Sequence, residues 1–104
     1  MSKTKIIHEL TNVLAKALRH KIGSIVNQNE IYAQKYSKDA DLLFKEAIKI
    51  SLKKKWNNYD KNQIKEELKR KLKIELESKE FLNERKFEIM DEEIEKALKS
   101  LNLV

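Results

Sequence analysis

The chain has no cysteine, no proline and a single glycine, Gly23, in 104 residues. Without cysteine there is no disulfide, no thiol nucleophile and no thiolate metal site. Only two histidines, His8 and His20, offer imidazole ligands. A zinc site would have to be completed by carboxylates, and no stretch shows that spacing. One glycine cannot build a glycine-rich phosphate loop. No apolar run approaches the length of a membrane span, and "MSKTKIIHEL" lacks the apolar stretch of a signal peptide. The expectation is a soluble, cytoplasmic protein with no membrane partner, no cofactor and no metal.

Catalytic groups are equally sparse. Ser24 and Ser51 have no neighbour that would activate a hydroxyl. His20 lies between Arg19 and Lys21, which disfavour its charged form, and reads as a solvated helix residue. The many carboxylates sit in lysine-paired helical patterns, as on a solvated face. The chain is therefore expected not to be an enzyme.

What is present is apolar periodicity and charge. Leu, Ile, Val and Phe supply 30 residues, enough for the small core of one domain, 1–104, but a modest one. A homo-oligomer, most simply a dimer, would complete the burial of such a core. The charge is polarised. Residues 1–52 carry +4, residues 53–73 carry +6 and residues 74–104 carry −4. Lysine outnumbers arginine 20 to 3, which suits neutralising phosphates more than reading bases, since arginine is the bidentate reader.

With so few breakers the chain reads as helices. Ile6, Leu10, Val13, Leu14, Ala17, Leu18, Ile22 and Ile25 recur at spacings of three and four, an amphipathic helix that Ser2 or Thr4 caps. The pattern continues to Tyr36. One long helix over 4–36 is expected, with weak points at Gly23-Ser24 and at "NQN", 27–29. Ser37 then resembles the N-cap of a second helix, "SKDADLLFKEAIKISLKKKW", whose wide apolar arc suggests a central position. Asp60, with Gln63 three residues on, resembles a capping box for a third. Ile64, Leu68, Leu72 and Leu76 repeat every four residues there. Asp91 reads as the cap of a last helix, "EEIEKALKSLNLV". One conflict remains: "KLKIELE", 71–77, and "KFEIM", 86–90, alternate polar and apolar as strands would. The fold class is thus all-α, a small bundle of about four helices, with a short hairpin within 71–90 as the α+β alternative.

Two stretches carry candidate function. In the basic middle, Lys53, Lys54 and Lys55 precede Trp56 and Tyr59, and Lys65, Lys69 and Lys73 form a ridge at helical spacing beside Arg70. Lysines neutralise phosphates and aromatic rings stack on unpaired bases, so these residues point to nucleic acid. The same pattern fits a basic helix end, a turn closed by Trp and Tyr, and an acidic protein surface as partner. A helical protein–protein or assembly module is the alternative, with the acidic end meeting the basic middle of a neighbouring subunit.

The second stretch is "HELTNVL", 8–14, which resembles the phosphoacceptor box of histidine kinases and related phosphotransferases. The resemblance covers His8, Glu9 and Asn12, with Leu10 and Leu14 at apolar places. It implies His8 as phosphate acceptor, Glu9 assisting proton transfer and Asn12 placing water. Val13 stands where that family usually has proline. Without an ATP-binding segment the resemblance implies only a phosphotransfer intermediary.

Overall fold

The structure, a computed structural model, describes residues 2–27, 29–79 and 84–104. Ser2 opens the first helix, its hydroxyl accepting the backbone N–H of Lys5 at 3.3 Å. This helix, α1, runs Lys3–Val26. It ends where the Asn27 N–H bonds to the carbonyl of Gly23 at 3.0 Å. Asn29 then caps α2, Glu30–Ser51, accepting from the N–H groups of Ile31 and Tyr32. The single long helix expected over 4–36 is therefore two, and the break lies at the "NQN" point, of which Gln28 lies outside the described residues.

Gly23 is a contact instead of a break. A Cβ there would stand 3.2 Å from Cδ2 of Tyr36, so the missing side chain lets α2 lie close against α1. Ser37, expected as a cap, sits inside α2. Nothing from 30 to 37 interrupts the backbone, and Asn29 already satisfies the first free N–H groups.

Asn57 caps α3, Asn58–Glu77, through a reciprocal box. The Asn57 side chain accepts from the Asp60 N–H at 2.8 Å, and Asp60 Oδ2 accepts from the Asn57 N–H at 3.1 Å. Asp60 thus fills the third position of the box, not the cap, and Gln63 has no part in it. Ile64, Leu68, Leu72 and Leu76 are fully buried on one face. Ile74, which strand alternation would place beside Leu72 and Leu76, is exposed. Helix spacing overrides alternation over 71–77, and no strand occurs among the described residues. Residues 80–83 of the hairpin alternative lie outside them.

One further turn, α4, spans Arg85–Glu88, and α5 spans Met90–Ser100. The count is therefore five helices among the described residues, the fourth a single turn. Asp91 lies in the first turn of α5, not at its cap; Ile89 occupies the cap position without a side-chain bond. The C-terminus of α5 is closed by Asn102 with φ 57°. The Asn102 N–H bonds to Lys99 O at 3.1 Å and the Leu103 N–H to Leu98 O at 2.8 Å. This pair of bonds is the Schellman arrangement, and buried Leu98 and Leu103 supply its apolar contact.

The directions of the helices follow from cross-contacts. His20 meets Tyr36 and Asp39 while Lys53 reaches back to Glu9, so α2 runs antiparallel to α1. Lys3 meets Asp60 and Arg19 meets Glu75, so α3 runs parallel to α1. The centre of the molecule is α1, which buries Ile6, Ile7, Leu10, Leu14, Leu18, Ile22 and Val26 around much of its circumference. The second helix was expected to be central. Instead α2 packs on α1 alone, whereas α1 also touches α3, α4 and α5. Its apolar arc is wide but only Ala40, Ala47, Ile50 and Ser51 are buried.

Candidate nucleic-acid interface

The up-down-up course brings together the starts of α1 and α3 and the end of α2, and Leu103 and Val104, after α5, lie beside the start of α3. The connection between α2 and α3 crosses this end. Trp56 holds it: its indole N–H donates to the carbonyl of Ser51 at 2.8 Å, and its half-buried ring packs against the core. This is the turn-closing role that Trp so often plays, with the apolar body inward and the N–H bonded.

The basic residues separate into two groups. Lys53, Lys54 and Lys55 lie exposed in the connection. The Lys53 ammonium is 3.8 Å from Glu9, beside the start of α1. Tyr59, in the first turn of α3, is 77% exposed. Lys3 reaches from α1 to Asp60, Nζ to Oδ2 2.8 Å, which holds the Asp60 carboxyl below its usual pKa, with the Asn57 N–H assisting. Residues 2–9 and 52–61 together present Lys3, Lys5, Lys53, Lys54, Lys55 and Lys61 against two carboxylates, Glu9 and Asp60. Lys3 and Lys5 were not among the residues expected here. No local signal marks them; only the parallel course of α1 and α3 places residues 57 apart in one patch.

The ridge along α3 is different. The Lys65 ammonium is 2.6 Å from Glu95 of α5. That hydrogen bond raises the Lys65 pKa and lowers that of Glu95, and Lys69 adds to the field on Glu95. Arg70 and Lys73 are exposed farther along α3, away from the shared end. The acidic C-terminal segment thus meets the basic middle within one chain. Its deepest carboxylate, Glu93, is buried and takes Lys21 at 2.8 Å and Lys96 at 3.2 Å. Burial would raise the Glu93 pKa, but the two ammoniums outweigh it and hold it low.

A third cluster occupies the α1–α3 seam. Lys71 donates to Thr11 Oγ1 at 2.6 Å, to the carbonyl of His8 at 3.1 Å, and lies 3.2 Å from His8 Nδ1. Burial lowers its pKa, against the pull of Glu67. An ammonium can only donate, so any hydrogen bond between it and Nδ1 has the ring nitrogen as acceptor. Glu9 turns to Lys53 and Asn12 is exposed. Among the described residues no group of acidic and histidine side chains is placed to hold a metal, and no helix is long and apolar enough to cross a membrane.

Comparison with protein-family models, with curated proteins and with solved structures gives no match to this chain.

Proposed function

We propose that this chain is a non-enzymatic helical binding protein whose basic end contacts nucleic acid. The observation that carries the reading is the gathering of Lys3, Lys5, Lys53, Lys54, Lys55 and Lys61 at one end with only Glu9 and Asp60 to oppose them. A local excess of lysines attracts a phosphate backbone and releases its counterions on contact. Most of this set comes from outside the α3 ridge; Lys3 is paired with Asp60 and Lys53 lies near Glu9, as Lys65 is paired with Glu95. The test is a titration of labelled single- and double-stranded DNA and RNA at about 50 and 200 mM salt. Four to six phosphate contacts give a log–log salt slope of about −3 to −4 on single strands. Replacing Lys53, Lys54 and Lys55 by Ala reduces that slope by about 2. No binding at the lower salt, or a triple variant that binds like the native chain, refutes the reading.

A helical interaction or assembly role is the second reading, and the outer side of α2 favours it. Ile31, Leu42 and Leu52 are all exposed there, on a helix that touches only α1. Sedimentation across a concentration series tests it: a monomer at every concentration removes self-association.

A further inference from the structure

We infer that the depression between the first turns of α3 and the C-terminal segment is a seat for one unstacked base, which makes the preferred ligand single-stranded. This inference rests on the nucleic-acid reading above and names the substrate class within it. The depression is shallow, about 430 Å³, and is lined by Asn58, Tyr59, Lys61, Asn62, Leu103 and Val104, with Lys65 as its far wall.

Its chemistry is that of a base site in each part. Tyr59 offers a ring that is 77% exposed, although the chain has a core in which to bury it. An aromatic face stacks on any base. Asn58 and Asn62, one helical turn apart and both exposed, bring two carboxamides that pair donor and acceptor with a base edge. Leu103 and Val104 form an apolar wall, Leu103 being buried and Val104 exposed. The Schellman turn at Asn102 puts that wall there, because the left-handed residue folds the chain end back over α5. Lys61 lines the same depression and pairs with no carboxylate among the described residues, so it is available to the phosphate of the seated nucleotide. Lys65 is held by Glu95 and serves as wall, not as phosphate contact. A base inside a duplex is stacked on both faces and cannot enter; a single strand offers its bases at little cost.

The experiment compares short single-stranded DNA and RNA with a duplex of the same sequence, using the full chain and its Tyr59→Ala and Tyr59→Phe variants. Single strands are expected to bind more tightly than the duplex. Tyr59→Ala weakens single-strand binding about 5- to 150-fold, the range for losing one stacked base, and leaves duplex binding and the salt slope unchanged. Tyr59→Phe keeps native affinity. Because Tyr59 is exposed, far-UV circular dichroism of the variants matches that of the native chain. Duplex binding as tight as single-strand binding overturns the inference, as does Tyr59→Ala binding single strands normally. If the Lys53/Lys54/Lys55 variant loses binding while Tyr59→Ala does not, the base seat alone falls. If no probe binds at low salt, the basic-end reading falls with it.

Discussion

Replacing Glu93 by Gln tests how much of the fold depends on the acidic end closing over the basic one. Glu93 is 3% exposed, and its two partners approach to 2.8 Å (Lys21) and 3.2 Å (Lys96). Breaking a fully buried ion pair costs about 3–5 kcal/mol, because one charge is left without water. Here the partners differ. The Lys21 and Lys96 side chains are 39% and 56% exposed, so each rehydrates once released. Glutamine keeps the shape and one carbonyl acceptor. What is lost is the charge on one charge-assisted hydrogen bond, from Lys96, and on the ion pair with Lys21, offset by relief from burying a carboxylate, and the net is about 1–3 kcal/mol. Urea unfolding at neutral pH reads this directly as a lower midpoint with an unchanged slope. The pH dependence supplies a second reading. The folded pKa of Glu93 lies below its ordinary value, so the unfolded chain takes up the proton first. The stabilisation is complete above the ordinary carboxyl pKa, about 4.3, and is lost as pH falls through the lower folded value. The gap between native and Gln chains therefore narrows on acidification. A Gln variant as stable as the native chain at neutral pH, or a gap that does not narrow in acid, refutes the reasoning.

Three further substitutions follow from the packing and the caps. Leu18→Ala removes a fully buried side chain of the central helix and costs about 2–5 kcal/mol, a large share of the ~5–15 kcal/mol typical of a domain; thermal unfolding of the variant shows it. Asn57→Ala removes the cap of α3 and one half of its reciprocal box, costing about 1 kcal/mol by urea unfolding, with Asp60 left to Lys3. At Asn102, Gly retains or raises the melting temperature, whereas Val, which avoids the left-handed region, lowers stability by about 1–2 kcal/mol.

The parts of the fold that were legible are those set by periodicity. Ile64, Leu68, Leu72 and Leu76 recur every four residues and are the buried face of α3; Leu10, Leu14, Leu18 and Ile22 do the same for α1. The boundaries were less legible, because a cap is a local signal that several residues share. Ser37 and Asn29 both suit a cap; Asn29 takes that place, and the helix runs on through Ser37. Asp91 and Asp60 were placed at the caps themselves although each lies inside its helix, since an acidic residue is favoured anywhere in the first turn. The wide apolar arc of the second segment suggested centrality, but arc width measures what a helix can bury and not what surrounds it. For the candidate site, the basic connection 53–55 and Tyr59 stood out as residues. Their company did not: Lys3 beside Asp60, Lys65 under Glu95 and the Leu103–Val104 wall are long-range placements that no sequence window contains.

The peripheral place of α2 divides the molecule into unequal cooperative units. Every other long helix packs closely on at least two others, whereas the only helix that α2 packs closely on is α1, its end being tied besides by the Trp56 bond to Ser51. Its detachment exposes one face of α1 and leaves the α1–α3–α5 contacts whole, so it costs less free energy than global unfolding. Amide protons of α2 therefore exchange with solvent by a sub-global opening, while those of α1 and α3 are released only when the whole chain unfolds. Lys53, Lys54 and Lys55 hang from the end of that looser unit, and a ligand that bridges them to Lys3 and Lys5 would slow the exchange of a helix it touches only at its last turn.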